Sequence, residues 1–314
     1  MKIAITGGTG FVGRHLAKRL VQLGHEVVLI SRGVDKREPT DMQVCAIGLN
    51  NIVELTEALQ GCDAVAHLAG INREIGSQTY ANVHVQGTAN VLQAAQVAGA
   101  KKVILLSFLR ARPECGSLYH ESKWEAEELV RNFGLDYTIF KAGVIYGKGD
   151  HMLDHISHAL HTFPAFLLVG FKKLTMRPLA IDDLTAVMVK SLTEGKLSRA
   201  CVPITGPEEL TLREVACRIS AVIGRRPIIF PVPVWVHYAM AWVFERTMAI
   251  PLAAKAQVRI LSESMSEPLK ACDELPHDLL PQTRFTEVQI KLGLPEPGRF
   301  GLKDCLRRSV RLNP

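Results

Sequence analysis

A glycine triplet that directly follows the first apolar run limits this chain to a small set of folds. Residues 3–5 read Ile-Ala-Ile and carry no charge, which is typical of a strand buried on both faces. Gly7, Gly10 and Gly13 come next, and the residues after them have the apolar spacing of a helix that Gly24 would end. A second apolar run covers residues 26–30. The opening of the chain therefore predicts a strand, a turn, a helix and a second strand.

Each glycine has a separate physical role in such a turn. Gly7 permits a sharp turn, Gly10 lets a backbone approach a pyrophosphate, and Gly13 lets the helix pack closely on the strand. The free N–H groups at the start of the helix would then face the phosphates. A glycine triplet alone is a weak signal, but one between a strand and a helix is specific. We therefore predict a dinucleotide site, with a ligand-free glycine turn as the alternative.

The end of the second predicted strand indicates which nicotinamide cofactor binds. A carboxylate there would bind the ribose 2′-hydroxyl of NAD(H) and repel a 2′-phosphate. The chain has Ser31 and Arg32 at this point instead. The first carboxylate after the strand is Asp35, and it is followed by Lys36 and Arg37. A guanidinium can bind a phosphate through two parallel hydrogen bonds. We therefore expect NADP(H), with NAD(H) as the alternative if Arg32 is only a solvated loop residue.

Strand and helix patterns alternate through the first 145 residues. Further strands are predicted over 44–49, 63–70, 102–107 and 137–140, and helices over 52–59, 79–98 and 118–132. This alternation predicts an α/β fold with a doubly wound parallel sheet, the Rossmann arrangement. We expect residues 1–150 to form this domain, with later returns near 176–206. Residues 151–314 are expected to form a smaller, mostly helical substrate domain interleaved with it.

Composition and charge exclude several classes of protein. The 314 residues are 47% hydrophobic, which is enough for a substantial core. A net charge of +6 is mild, suits an anionic cofactor and gives no sign of a nucleic-acid partner. The seven cysteines include no Cys-x-x-Cys pair, which favours a reducing compartment over a disulfide framework or a zinc site. With a strand predicted from residue 2 and no signal peptide ahead of it, we expect a cytoplasmic protein.

Residues 228–244 form an uncharged apolar run. The run is shorter than the roughly 20 residues that a membrane-spanning helix needs, and two prolines break its first part. We expect a buried or interface helix that starts near Val234. Because Arg225, Arg226 and Arg246 flank the run, contact with a membrane surface is the alternative, although it is not favoured.

A second motif, Tyr119-His-Glu-Ser-Lys123, falls on the helix predicted after the fifth strand. The spacing of four residues puts Tyr119 and Lys123 on one helix face. A tyrosine hydroxyl has a pKa of about 10, and an adjacent ammonium lowers this pKa by stabilising the phenolate. The pair can then act as a general acid and base, while Lys123 can also hold the nicotinamide ribose.

With these motifs in place, the chain resembles the extended or atypical branch of the short-chain dehydrogenase/reductase superfamily. The late motifs are most similar to the subgroup related to the NADPH-carrying accessory subunit of mitochondrial respiratory complex I. The matching segments are residues 6–13, 67–70, 82 with 87–90, 119–123, 144–150, 178–183 and 205–211.

The resemblance implies a set of site residues. The catalytic set is Tyr119, Lys123 and Ser107. The cofactor-binding set is Gly7, Thr9, Gly10, Phe11, Val12, Gly13, Ser31, Arg32, Leu49, Leu68, Ala69, Gly70, Asn82, Lys123, Gly143 and Val144.

Two positions depart from the superfamily pattern. The hydroxyl residue that usually bonds the substrate oxygen would stand at Phe108 or Leu109, and the nearest one is Ser107. Lys141 and Ala142 stand where Arg-Pro is common. Both departures weigh against efficient hydride transfer and leave cofactor binding unaffected.

Three hypotheses on function follow. The first is an NADP(H)-dependent oxidoreductase that acts on a carbonyl or alcohol; the apolar segments 163–171 and 228–244 favour a hydrophobic small molecule. The second is a related nucleotide-sugar epimerase or dehydratase. The third is a non-catalytic NADPH-binding structural, assembly or sensor protein, and the expected protein partner is a second copy or a respiratory-complex-like assembly.

Three histidines predicted to share one helix face, His151, His155 and His158, raise the question of a metal site. Imidazoles four residues apart can bind a metal. The glutamate of the metalloprotease pattern does not follow His151. We therefore expect these histidines to form a solvated or cleft-lining face, and we predict no metal.

Overall fold

The computed structural model describes residues 1–33, 42–248, 254–269 and 272–300. Its strands in chain order are β1 (Lys2–Thr6), β2 (Glu26–Ser31), β3 (Gln43–Ala46), β4 (Ala64–His67), β5 (Lys102–Phe108), β6 (Asp136–Ala142), β7 (Ile145–Tyr146), β8 (Ala165–Val169), β9 (Thr175–Met176), β10 (Leu179–Ala180), β11 (Ala200–Ile204), β12 (Leu210–Thr211) and β13 (Ile228–Val232). The helices are α1 (Phe11–Gln22), α2 (Ile52–Leu59), α3 (Gly87–Val97), α4 (Leu118–Asn132), α5 (His151–Thr162), α6 (Ile181–Thr193), α7 (Leu212–Val222), α8 (Val234–Thr247), α9 (Lys255–Leu261) and α10 (Glu287–Gly293). A π-helix (Ala81–Gln86) precedes α3, and a 3₁₀ turn covers His277–Leu279.

The chain divides into two compact units, and the first contains a seven-stranded sheet. This unit comprises residues 1–143, 181–205 and 267–282. Its strands lie in the order β11-β6-β5-β4-β1-β2-β3, and every neighbouring pair is parallel. The predicted doubly wound α/β sheet is confirmed.

Helices cover the sheet because its strands bury apolar side chains on both faces. Ala4, Val28 and Val103 belong to a buried cluster that they share with α2, α3 and α4. The alternating residues Ile3 and Ile5 are also fully buried, and they point to the opposite face. There α1 and α6 pack against each other.

The order of the strands places a crevice beside β1. The chain runs outward from β1 to β2 and β3, and then returns to place β4 on the other side of β1. At such a reversal the connections from the carboxyl ends of two neighbouring strands diverge, and ligands of open α/β sheets bind there. The residues that follow β1 and β4 therefore flank the expected site.

Local signals fix several helix ends, but one predicted helix is different. Asn51 caps α2 through its side chain, and a capping box formed by Thr211 and Glu214 starts α7. The single helix expected over 79–98 is instead a π-helix followed by α3, because the Gly87 N–H donates to the Asn82 carbonyl five residues back. Apolar spacing does not reveal such a change of hydrogen-bond register.

The second unit comprises residues 144–180, 206–266 and 283–314. Among its described residues, β8 pairs with β13 in parallel, β7 pairs with β10, and β9 pairs with β12. Helix α8 begins at Val234 as expected, but only His237 and Ala241 of this helix are buried. The apolar run is therefore not a core helix. In the described part of the chain, the helices are too short or too polar to cross a membrane.

Candidate functional site

The glycine turn after β1 lies against the turn after β4. Gly7 has a φ of +69°, and its N–H donates to the Ile30 carbonyl at 2.9 Å. A Cβ atom at Gly7 would lie 2.8 Å from the Ala69 nitrogen. The Leu68 N–H in turn donates to the Thr6 carbonyl at 3.1 Å. Only glycine at position 7 allows these two turns to meet.

The start of α1 has the features of an anion site. Gly13 is buried, and a Cβ atom there would lie 2.4 Å from the Gly7 carbonyl oxygen. Gly10 precedes the helix, no side chain caps it, and its first turn contains no acidic residue. Its amides and the positive end of its dipole therefore favour a phosphate. The other predicted contacts are at the same turn: Thr9, Phe11 and Val12.

Gly70 joins the turn after β4 to the tyrosine–lysine motif. A Cβ atom at Gly70 would lie 3.1 Å from Lys123 Nζ and 3.4 Å from His84 Nε2. Lys123 Nζ also donates to the Leu106 carbonyl in β5 at 3.3 Å. The lysine therefore lies beside the carboxyl ends of β4 and β5, next to the glycine turn. These residues fit a bound nicotinamide dinucleotide, with phosphates at the start of α1 and Lys123 within reach of a ribose.

Tyr119 is enclosed by other rings. Its ring packs edge-on against Tyr80 and His84, with centroids 5.7 and 5.8 Å away, and also contacts Phe108 and His120. Burial, with a smaller contribution from Tyr80, raises the pKa of Tyr119. This direction is opposite to the lowering expected from a neighbouring ammonium. Burial also lowers the pKa of Lys123 to about 8.

A neutral histidine ties the turn after β4 to the backbone of Tyr119. His84 Nε2 accepts the Ile71 N–H at 3.1 Å, so the ring proton is on Nδ1. Nδ1 therefore donates to Ser122 Oγ at 2.9 Å, and Ser122 donates to the Tyr119 carbonyl at 3.1 Å. Burial, together with the charge of Lys123, lowers the pKa of His84 to about 2 and keeps it neutral.

A second buried histidine connects β1, β4 and α3. The Thr88 hydroxyl donates to the His84 carbonyl, so His67 Nε2, 3.0 Å from it, must be the donor between the two. His67 Nδ1 then accepts from Thr6 Oγ1 at 2.6 Å. The resemblance includes His67 and Thr88 but assigns neither a role, and His84 lies outside its matching segments.

Ser107 binds a buried carboxylate. Its hydroxyl donates to Glu127 Oε1 at 2.5 Å. Lys141 Nζ donates to both oxygens of the same carboxylate at 2.7 and 2.9 Å, and Arg131 contacts Oε2 at 2.8 Å. In the sequence, Lys141 stands out only as a departure from a motif. A role for Glu127 was not predicted, although this glutamate follows Lys123 by one helical turn.

The predicted residues at the end of β2 differ in exposure. Ser31 is buried, and its hydroxyl donates to the Gly33 carbonyl at 2.6 Å. Arg32 is exposed. Lys36 and Arg37, which supported the expectation of NADP(H), lie outside the described residues.

Four predicted cofactor residues lie further along the chain. The Leu49 carbonyl accepts from Asn90 Nδ2 at 2.7 Å, and a Cβ atom at Gly87 would lie 2.8 Å from Leu49 Cδ1. Asn82 is exposed, and its amide donates to the Ser77 carbonyl at 2.9 Å. Gly143 and Val144 follow β6, and the boundary between the two units falls between them.

The three histidines that the sequence singled out all lie on α5. The rings of His151 and His155 are 6.0 Å apart, and His158 Nδ1 lies 3.3 Å from Asp154 Oδ1. Across the residues that the structure describes, no group of three or more histidine, cysteine or acidic side chains could hold a metal ion.

Comparison with known proteins gives one family match and several relatives. A family model described as "NAD dependent epimerase/dehydratase family" matches residues 3–200. An uncharacterized protein of Mycobacterium tuberculosis is 28% identical over 234 residues, and the match covers 74% of this chain but only 24%, about a quarter, of that relative's length. The mitochondrial NADH dehydrogenase (ubiquinone) 1 alpha subcomplex subunit 9 of Mus musculus is 24% identical, covering 88% of this chain and 73% of that subunit. A ceramide reductase of Caulobacter vibrioides is 32% identical over 155 residues, 47% of each chain.

The fold also matches solved structures. A UDP-glucose 4-epimerase of Thermus thermophilus in complex with NAD matches this chain with a TM-score of 0.68 at 18% identity. The match covers 93% of this chain and 97% of that one. At this identity the likeness shows the fold, which in that protein holds NAD.

Proposed function

The chain belongs to the NAD dependent epimerase/dehydratase family, and from this premise we propose that it is an NADP(H)-dependent oxidoreductase that acts on a carbonyl or alcohol of a hydrophobic small molecule. One observation carries the proposal. The glycine turn packs on Ala69, and Lys123 lies beside Gly70, so the phosphate-binding turn and the tyrosine–lysine helix meet at adjacent residues. A dinucleotide held at the start of α1 therefore has the catalytic lysine beside it.

The nicotinamide, when bound, supplies or accepts the hydride. Tyr119 would supply the proton, because its hydroxyl would donate to the substrate oxygen as a carbonyl is reduced. The raised pKa of Tyr119 keeps this hydroxyl protonated and ready to donate. Lys123 would hold the ribose and stabilise the phenolate that remains.

The preference for the phosphorylated cofactor rests on Arg32, which directly follows β2 and is exposed. Titration of the protein with NADPH and NADH tests it. We expect Arg32→Ala to weaken NADPH binding by roughly tenfold or more, since it removes a charge-assisted hydrogen bond, and to leave NADH binding unchanged. Equal effects on both cofactors would contradict the assignment.

The hydrophobic class of substrate is supported by a relative and by the composition of the second unit. The Caulobacter relative is named for a lipid, ceramide. The apolar segments 163–171 and 228–244 supply β8, β13 and most of α8. We therefore favour an apolar carbonyl compound over a nucleotide sugar.

The test is NADPH oxidation with a panel of long-chain ketones, aromatic ketones, quinones and UDP-sugars. We expect turnover with an apolar carbonyl and a fall in kcat of roughly 10²–10⁴-fold in Tyr119→Phe, with NADPH affinity unchanged. Unchanged turnover in this variant would remove Tyr119 from the mechanism.

A non-catalytic NADPH-binding role is the second candidate, and two observations favour it. The Ser107 hydroxyl, which is the one nearest to the expected substrate-binding position, is bonded to Glu127. The murine relative is a subunit of an NADH dehydrogenase. In this case NADPH would raise the melting temperature by mass action while no compound of the panel is reduced. An epimerase would instead convert a UDP-sugar without net NADPH consumption.

A further inference from the structure

The second unit presents an aromatic helix face to solvent. Along α8, the exposed residues include Trp235, Trp242 and Val243, with 71%, 46% and 44% of their surfaces accessible. Together with Ala239 and Arg246, which are also exposed, they recur at the three- and four-residue spacing of one helix face. We call this set the α8 face.

The opposite side of α8 anchors the helix. His237 and Ala241 are buried, and Ala241 packs with Val169 of β8 and Val258 of α9. The helix is therefore held to its own unit by one side, and the indoles of the α8 face are left without a described apolar cover.

Further exposed apolar side chains belong to the strand pair of the same unit. Ile228 and Phe230 are 69% and 41% exposed and, being two residues apart on β13, they point to the same side. Phe171 follows β8 and is 72% exposed. The Gly170 N–H donates to the Val232 carbonyl at 2.8 Å, and a Cβ atom at Gly170 would lie 3.0 Å from Val234 Cγ2. Phe171 is therefore next to the start of α8.

Basic side chains accompany this surface. Five exposed ones belong to the same segments: Lys172, Lys173, Arg225, Arg226 and Arg246. The guanidinium of Arg246 lies 3.9 Å from the centre of the Trp242 ring. Two acidic residues of the described chain lie near this surface. Glu245 is half-buried and accepts the Lys255 N–H at 2.9 Å, and Glu214 interacts electrostatically with Lys173. The basic groups outnumber the acidic ones.

We propose that the α8 face, with Phe171, Ile228 and Phe230, binds the surface of a membrane that contains anionic phospholipids. Tryptophan prefers the boundary between headgroups and acyl chains, because its ring is apolar and its N–H is polar. Lysines and arginines around an apolar patch are attracted to anionic headgroups. The combination of exposed indoles with a basic fringe matches both zones of such a surface. The proposal requires neither catalysis nor a bound cofactor.

Tryptophan fluorescence can test the contact directly. The chain has three tryptophans, so in Trp124→Phe only Trp235 and Trp242 of the α8 face report. We expect their emission to shift to the blue with vesicles of phosphatidylglycerol and phosphatidylcholine, and to be quenched when the acyl chains carry bromine. Vesicles of phosphatidylcholine alone should give a much smaller change.

Co-sedimentation of the full chain with the same vesicles separates the two components of the surface. We expect Trp235→Ser with Trp242→Ser to lower binding at least tenfold, and Arg225→Glu with Arg226→Glu to lower it by roughly fivefold or more for each cation lost. The matched control is Val288→Ser with Leu292→Ser. Both residues are exposed apolar positions of α10, at 67% and 66%, and these changes should leave binding intact.

An unchanged melting temperature in each variant shows that the protein is folded. Because this measurement depends on neither NADPH binding nor turnover, it separates the proposal from the proposed function. Failure to bind vesicles of either composition overturns the proposal. Binding that does not respond to the arginine substitutions also overturns it. If the tryptophan substitutions instead change a dimer into a monomer by light scattering, a second copy covers the α8 face and the membrane assignment is wrong.

Discussion

Glu127 and Lys141 form an ion pair inside the sheet unit, at 2.7 Å, with 0% and 1% of their side chains exposed. Ser107 lies beside Lys141 as its register partner in the β5–β6 pair, and its hydroxyl binds the same carboxylate. The cluster links α4, which carries Tyr119 and Lys123, to the centre of the sheet. It therefore holds α4 in place against β5.

The first prediction concerns the stability of this cluster. Glu127→Gln leaves the Lys141 ammonium buried without its anion, which should lower the free energy of unfolding by about 3–5 kcal/mol. Lys141→Met combined with Glu127→Leu should cost less than Glu127→Gln, since no lysine charge remains unpaired. Urea unfolding measures both. As a control, Asp278→Asn breaks the exposed pair with Lys196 and should have little measurable effect. A loss of similar size in the control would contradict the argument.

The second prediction concerns the phosphate turn. Gly13→Ala puts a methyl group 2.4 Å from the Gly7 carbonyl oxygen, a backbone atom that cannot move aside without shifting the turn. We expect NADPH binding to fall below detection, with a lower melting temperature. Gly33→Ala is the matched control, because no atom of the described residues lies within 4 Å of the added Cβ atom. Calorimetric titration of both variants decides the point, and normal affinity in Gly13→Ala would show that this turn does not hold the dinucleotide.

The fold was predictable where the signal is local. Buried apolar runs and glycines at turns each act within a few residues, as do the caps Asn51 and Thr211 that the structure shows. Six strands of the parallel sheet followed from the alternation of strand and helix patterns, and β11 lies in the later return expected near 176–206. The π-helix Ala81–Gln86 was not predictable in this way, because a one-residue change of hydrogen-bond register leaves the apolar spacing almost intact.

The candidate site was only partly predictable for a related reason. The motif spacing locates Tyr119 and Lys123 on one helix face, but the pKa of Tyr119 depends on rings from distant segments, Tyr80 and Phe108. Burial raises this pKa, where a lowering by Lys123 was expected. Likewise the partner of Ser107 is set by strand register, which brings residues 107, 127 and 141 together across three elements.

The third prediction assigns His84 a positioning role. The bonds from Ile71 through His84 and Ser122 reach the Tyr119 carbonyl. His84→Phe should therefore lower kcat several-fold more than it changes the affinity for NADPH. Ser122→Ala interrupts the same path. The double variant should therefore lose no more activity than the more impaired of the two single variants, as expected for residues that act as one unit. Additive losses would instead indicate two independent effects.

The fourth prediction is a pH dependence set by Lys123. Burial lowers its pKa to about 8, so the ammonium that would hold the ribose is complete below pH 8 and is lost as the pH rises through that value. NADPH affinity should accordingly be constant at lower pH and fall above pH 8. In Lys123→Met the affinity should be weaker and flat across the same range. A decline that persists in Lys123→Met would assign the titration to another group.

The lowered pKa of Lys123 also makes the free energy of unfolding depend on pH, in a direction that can be worked out. A lysine in the unfolded chain has a pKa of about 10.4. Between pH 8 and that value, the unfolded chain therefore binds more protons at position 123 than the folded chain does. Stability must then rise with pH across this window, because the folded state no longer buries a charge that the unfolded state keeps in water. Urea unfolding of the wild type and of Lys123→Met at several pH values in the window isolates the contribution: the wild type should gain stability relative to the variant as the pH rises. A gap that stays constant would mean that Lys123 is solvated as an ordinary surface lysine, and the close approach of its ammonium to Gly70 would then not describe the protein in solution.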